Sequence, residues 1–146
     1  MEIKVKYFDD NMDKIDFIGQ VSDWIDLRSR QTIEYEEGDF ILIPLNVAME
    51  LPEGFEAHLA PRSSTFKNWG LIQTNSVGVI DNSYSGDDDE WLLPVLAMRD
   101  GKVKKGDRIA QFRVMPTMKQ QGHIQIKEVD SLGNENRGGF GSTGEK

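Results

Sequence analysis

The spacing of the apolar residues constrains this chain most. They come in short alternating or β-branched stretches, closed off by glycine or proline, and almost nowhere hold a helical repeat. Ile3, Val5 and Tyr7 alternate with Glu2, Lys4 and Lys6, and Phe55, Ala57 and Leu59 alternate in the same way. Such alternation places apolar groups on one face of a half-buried sheet. Residues 25–27, 40–45, 47–51, 71–72, 77–80, 91–98, 109–114 and 123–129 also read as strands. Pro52-Glu53-Gly54 reads as a turn, because proline presets φ and glycine relaxes it. The best helix signal covers residues 63–69, where Ser63 or Ser64 can cap the start and Gly70 ends it. Many short strands at close spacing predict an all-β sandwich or barrel.

A chain of 146 residues fits one domain and can bury a core without disulfides. It has no cysteine, which excludes a disulfide scaffold, cysteine-bound zinc and a thiol nucleophile. Two histidines, His58 and His123, stand too far apart for an H-x-x-x-H metal pair. The net charge of −8 has the wrong sign for neutralising a nucleic-acid backbone. A small phosphorylated ligand stays open, since a few well-placed cations and a metal suffice for it. No apolar run approaches the ~20 residues of a membrane helix, and the first eight residues lack a signal-peptide core. The expectation is a cytoplasmic protein with no nucleic-acid or membrane partner. From Asp130 the chain turns polar and glycine-rich, a composition that cannot build a core. The division expected is a β domain over residues 1–130 and a flexible arm over 131–146.

Five segments can carry chemistry, and each also has a plain structural reading. Arg62, Ser63 and Ser64 before the short helix offer a cation, hydroxyls and backbone N–H groups to an anion, or are a serine N-cap beside a surface arginine. Asn75 through Asp87 reads as strand, tight turn, then a carboxylate and an aromatic. There Asp81 can accept a proton from water, or be an ordinary turn residue with Tyr84 packed beside it. Gln111, in Gly106-Asp107-Arg108-Ile109-Ala110-Gln111, can reach a phosphate oxygen or face solvent. Arg137 and the glycine-rich tail can wrap phosphates with N–H groups or stay unstructured; the Walker pattern is absent. Asp26, in Asp26-Leu27-Arg28, is a surface acid or part of an ion-pair network.

The order of these segments carries more than any one of them. Pro61-Arg62-Ser63-Ser64, then Gly78-Val79-Ile80-Asp81 with Tyr84 and Gly86-Asp87, then Gly106 to Gln111, then Gly139-Phe140-Gly141-Ser142-Thr143-Gly144, resemble four of the five signature motifs of the trimeric dUTP diphosphatase family. Asp26-Leu27-Arg28 resembles the end of the remaining one. The resemblance spans roughly residues 22 to 144. It implies a jelly-roll-like β-barrel with one short helix and a homotrimer whose three sites each draw segments from all three chains. It also implies hydrolysis of dUTP to dUMP and pyrophosphate with Mg2+.

It further assigns roles. Asp81 matches the general base that activates water against the α-phosphorus, with Gln111 beside it in the catalytic set. Tyr84 matches the residue packed on the deoxyribose. Asn75, Gly78 and the backbone of Val79 and Ile80 match the hairpin that pairs with uracil. Arg62, Ser63, Ser64 and Gln111 match phosphate contacts. Phe140 matches the aromatic lid, Gly141, Ser142 and Thr143 its phosphate-wrapping continuation, and Arg137 the contact to the terminal phosphate. Mg2+ would be held by the substrate phosphates, with Asp26 an outer-sphere or scaffolding acid.

Three features depart from the family pattern. Asp23-Trp24 stands where the family has Ala-Gly. Only Gly138-Gly139 separates Arg137 from Phe140, two residues fewer than usual. Trp91 offers either a second stacking group or a strand-end aromatic in the core or the trimer interface. Two competing functions have their own signatures. A dCTP deaminase shares the barrel and the Arg-Ser-Ser segment, but no glutamate stands between Gly78 and Gly86. A nucleotide-sensing role with a regulatory protein partner is compatible with the same residues.

Overall fold

The computed structural model describes residues 1–16, 22–122 and 124–140. Among these it contains eleven strands and a single five-residue helix. In chain order the strands are β1 (Lys4–Tyr7), β2 (Ile25–Arg28), β3 (Ile33–Tyr35), β4 (Phe40–Pro44), β5 (Val47–Glu50), β6 (Phe55–Pro61), β7 (Leu71–Gln73), β8 (Gly78–Ile80), β9 (Leu92–Ala97), β10 (Gly101–Val103) and β11 (Arg108–Pro116). The helix, α1 (Thr65–Trp69), lies between β6 and β7. No helix among the described residues is long and apolar enough to cross a membrane.

The strands pair in the orders β2-β11-β6-β8, β4-β9-β7, β1-β5 and β3-β10. Every pairing is antiparallel. This is the expected all-β, jelly-roll-like architecture. Its core follows directly from alternation: along β9, Leu93, Val95 and Ala97 are buried while Leu92 and Leu96 face out. The Trp91 and Phe112 rings meet edge-on at the centre, 5.1 Å between centroids. Burying a large apolar side chain contributes about 1.5–3 kcal/mol, so these two rings and the leucines around them hold the sheets together.

Strand β11 is irregular. Its pairing with β2 shifts register between Arg108 and Ala110. Two successive residues, Ile109 and Ala110, are buried, and Gln111 points outward again. In a regular strand Arg108 and Gln111, three apart, would face opposite sides. The bulge re-aims one of them, so both line one surface.

Several strand expectations hold, with ends moved by a residue or two. Strands β3 and β10, of three residues each, are additions. The strand expected over residues 123–129 is a correction. Residues 124–129 form no strand and are exposed, and His123 lies outside the described residues. Ile124 and Ile126 do alternate with polar neighbours, but a strand exists only when paired, and among the described residues no strand pairs with this segment. Among the described residues the last strand ends at Pro116, and residues 124–140 are exposed throughout.

Candidate functional site

The candidate residues divide between two pockets. The first, about 460 Å³, is lined by Asn75, Gly78, Val79, Ile80, Asp81 and Tyr84 from the β7–β8 turn and the segment after β8. Leu42, Leu59, Leu92, Pro94 and Trp91 supply apolar walls. The second, about 570 Å³, is lined by Arg62, Ser63 and Gln111 together with Asp26, Arg28, Arg108, Lys14 and Trp24. No residue lines both.

Both are anchored on β6, which explains their separation. Strand β8 pairs with the front of β6, with Ile80 opposite Ala57. Gln111 pairs with Ala60 near its far end, and Arg62 follows Pro61. At ~3.3 Å per residue, Ala57 and Arg62 stand roughly 16 Å apart. Within one chain Asp81 is therefore far from the arginine pocket.

In the first pocket the turn between β7 and β8 is built by side-chain bonds. Buried Gln73 donates from Nε2 to the Leu59 carbonyl at 3.1 Å and to Asn75 Oδ1 at 2.8 Å. Asn75 is thus oriented with its oxygen engaged and its amide nitrogen turned toward Gly78, 3.6 Å from where a β-carbon there would lie. That β-carbon would also press on Leu59 at 3.2 Å, so glycine lets the backbone at the start of β8 line the pocket itself.

Asp81 is exposed, and its Oδ1 accepts from the Ser83 N–H at 2.8 Å and the Ser83 hydroxyl at 2.5 Å. Donation from the Ser83 hydroxyl and N–H holds the carboxyl below its ordinary range. Among the described residues no hydrogen bond reaches Oδ2, which leaves that oxygen for a water molecule. Tyr84 donates its hydroxyl to the Glu90 carbonyl at 2.7 Å. Burial, with Asp89 and Glu90 nearby, pushes its phenol pKa up, so the ring is neutral.

In the second pocket Asp26 organises the cations. Its Oδ1 accepts from Arg62 Nε at 2.9 Å, and its Oδ2 lies 3.5 Å from Arg108. Gln111 donates Nε2 to the Pro61 carbonyl at 3.1 Å. The serine-cap reading is corrected here. Ser64 occupies the N-cap position without a side-chain bond. Buried Thr65 does the local work: its hydroxyl accepts from the Arg62 N–H at 2.9 Å and donates to the Ile109 carbonyl at 3.0 Å. Among the described residues neither serine hydroxyl has a partner. Ser63 lines the pocket and Ser64 does not.

The remaining candidates are not brought to either pocket. Arg137 and Phe140 are exposed and line neither. Gly141, Ser142 and Thr143 lie outside the described residues. Of the two readings of Trp91, the structure supports the core aromatic: the ring is fully buried, although its edge reaches the first pocket. Its indole N–H has no partner among the described residues. Gln73, Ser83 and Arg108 join the two sites in addition to the residues expected from the sequence. Ser83 was findable, because an acid two residues before a serine is a common side-chain-to-backbone turn.

An apolar face adjoins the first pocket. On the outer side of the β4-β9-β7 sheet, Phe40, Leu96 and Ile72 form one cross-strand row, with Leu42 beside Pro94 and Leu92 next. Phe40 and Leu42 are 61% and 51% exposed. Leu42, Leu92 and Pro94 belong to this face and to the pocket wall. No three carboxylate or imidazole groups among the described residues converge to hold a metal ion.

Residues 24–144 match the family model for dUTPase. The chain is 56% identical over 146 residues, covering all of both chains, to the SPbeta prophage-derived deoxyuridine 5'-triphosphate nucleotidohydrolase YosS of Bacillus subtilis (strain 168). It superposes on the crystal structure of dUTPase from Streptococcus mutans with a TM-score of 0.71 and 25% identity, covering 81% of this chain and 97% of that one. A mutant dUTPase from phage phi11 of S. aureus, described with the coordination of a structural Mg(II) ion, matches in fold with a TM-score of 0.69 and 18% identity, over 90% of this chain and 99% of that one.

Proposed function

Since this chain belongs to the dUTPase family, we propose that it is an enzyme hydrolysing dUTP to dUMP and pyrophosphate, in sites shared between copies of the chain in a homotrimer. The observation that carries the shared site is the division of its parts. The hairpin and carboxylate sit at one end of β6 and the arginine pocket at the other, with no lining residue in common. Roughly 16 Å of β6 lies between Ala57, opposite Ile80, and Arg62, so Asp81 and Arg62 of one chain do not flank the same phosphate. The exposed apolar row beside the first pocket is the kind of surface that marks an interface, and it would bring a neighbour's Arg62, Ser63 and Gln111 to face Asp81. Ser64 is assigned to the phosphates with them.

The proposed chemistry uses groups already positioned. Asn75 and the backbone of Gly78, Val79 and Ile80 offer fixed donors and acceptors to uracil. A hairpin of this kind rejects cytosine strongly, because buried polar groups left mispaired are costly. The Tyr84 ring packs on the deoxyribose where a 2′-hydroxyl would otherwise sit. Water attacks the α-phosphorus while Asp81 Oδ2 takes its proton. The bond from that phosphorus to the bridging oxygen breaks, and pyrophosphate leaves. Arg62, Arg108 and Gln111 stabilise the charge that develops on the phosphate oxygens.

Mg2+ is assigned to the substrate phosphates, where it would neutralise charge and fix their geometry. Both Asp26 oxygens face guanidinium groups, which supports the scaffolding role for this acid over an outer-sphere one. Residues 131–146 are assigned as an arm that closes over a neighbour's site when nucleotide is present, with Phe140 over the base and Arg137, Gly141, Ser142 and Thr143 around the phosphates. The exposure of residues 131–140 in the single chain fits an arm whose contacts lie elsewhere. A cytoplasmic location is part of the same proposal.

The test is pyrophosphate release from each deoxynucleoside triphosphate in turn, with Mg2+. dUTP alone should be turned over efficiently. Ammonia from dCTP would replace this reading with deamination, and equal hydrolysis of all the triphosphates would remove the uracil hairpin from it.

A further inference from the structure

The segment from Asp81 to Glu90 carries the base and the sugar-facing ring, yet it contains no helix or strand. Its position comes from a few side-chain anchors. At its start, Asn82 donates from Nδ2 to the carbonyls of Leu51 and Pro52, at 3.1 and 2.8 Å. At its end, Glu90 is gripped from two directions. Arg30 makes a two-pronged contact, Nε to Oε2 at 2.7 Å and Nη2 to Oε1 at 2.9 Å. The N–H of Asn46 donates to the same Oε2 at 3.0 Å. Asn46 sits in the turn between β4 and β5 at φ 71°, is buried, and is itself tied to Asp9 through both side-chain atoms.

Glu90 is therefore fixed to the barrel by its carboxylate, and its carbonyl is free to fix something else. That carbonyl is what the Tyr84 hydroxyl reaches, at 2.7 Å. Its side chain is only 12% exposed, and that of Arg30 29%. Neither lines the nucleotide pocket, whereas Tyr84 does. A planar two-pronged pair of this kind sets orientation as well as attraction. Lysine cannot reproduce it.

We infer that the Arg30–Glu90 pair is a positioning device for sugar selectivity: through the Glu90 carbonyl it holds the Tyr84 ring against the 2′ position and so sets how strongly a ribonucleotide is refused. This rests on the proposed packing of Tyr84 on the deoxyribose. Steric refusal of one hydroxyl depends on the ring holding its place to a fraction of an ångström, because a ring that can retreat makes room. Loosening the anchor therefore costs discrimination more than it costs turnover of the correct substrate.

The experiment measures kcat/KM for dUTP and for UTP in the full-length protein and four variants: Tyr84→Ala, Tyr84→Phe, Glu90→Gln and Arg30→Lys. Circular dichroism and light scattering check fold and assembly. Tyr84→Ala should collapse the dUTP-to-UTP ratio. Tyr84→Phe keeps the ring and loses only its bond to Glu90. It and Glu90→Gln should each lower the ratio by about tenfold, mainly through a gain on UTP. Arg30→Lys keeps the charge and should fall between these and the parent. A collapsed ratio in Tyr84→Ala with parental ratios in Tyr84→Phe and Glu90→Gln would overturn the inference and leave Tyr84 as the sugar gate. A parental ratio in Tyr84→Ala would overturn the gate and the inference with it. Tyr84→Phe disturbs no ion pair, so the idea stays testable even if a Glu90 variant folds poorly.

Discussion

Ser83 holds one oxygen of Asp81 twice, through its N–H at 2.8 Å and its hydroxyl at 2.5 Å, and no described residue touches the other. The side chain is thereby turned, kept ionised and left with one open acceptor. Those are the properties wanted in a group that removes a proton from water. They arise from a turn of three residues rather than from burial.

Replacing Asp81 by Asn should leave nucleotide binding intact and lower turnover by ~10²–10⁴-fold, the usual range for general-base catalysis. Calorimetric titration with a non-hydrolysable dUTP analogue and single-turnover kinetics measure the two parts. Undiminished turnover would exclude the residue from the mechanism.

The acid side of the kcat/KM profile should follow the Asp81 carboxyl in the free enzyme. Its pKa lies below the ordinary 3.8 because Ser83 donates to the charged form. The charge is accordingly present above that ordinary value and is lost only as pH falls through the lowered one. Any contribution of these bonds to stability fades over the same acid window. Ser83→Ala removes the larger donor, so its acid limb should move up toward the ordinary carboxylate range. An unchanged limb would mean that another group sets it.

Asp26 holds Arg62 and Arg108 on its two oxygens. Asp26→Asn should reduce kcat/KM for dUTP by about ten- to a hundredfold, since misplaced binding groups degrade alignment. The Mg2+ concentration giving half-maximal activity should not move. A large change in that concentration would instead favour a metal-linked role.

Phe40 is 61% exposed in the apolar row. Phe40→Asp should cost a single chain little stability but put a charge where copies are proposed to meet. Light scattering should then report monomers, and activity should disappear with the assembly. A fully active variant of unchanged mass would place the contact elsewhere.

Removing residues 137–146 should leave the thermal unfolding transition where it is, because residues 124–140 add nothing to the core. Turnover should drop sharply if the arm completes the site. Normal kinetics in the shortened protein would rule out a closing arm.

The amino-acid sequence by itself determined the architecture and the inventory of chemical groups. Alternation over Leu93, Val95 and Ala97 and over Ala57 and Leu59 dictates which faces go inward, because a two-residue period admits only one buried side. Gly70 stops the helix at φ 65°, in the left-handed region where other residues are strained. The order of Arg62, Asp81 and Gln111 along the chain was equally legible. What only the tertiary structure decided was which of these groups meet. The bulge at Ile109 and Ala110 turns Arg108 and Gln111 to one side, and a register shift has no signature in composition. The anchoring of Glu90 by Arg30, sixty residues away in sequence, depends on two sheets docking. The separation that β6 sets between the carboxylate and the arginine is fixed by pairing partners. Local sequence specifies local conformation and the sidedness of a strand, whereas distances between strands come only from how the sheets are laid against one another.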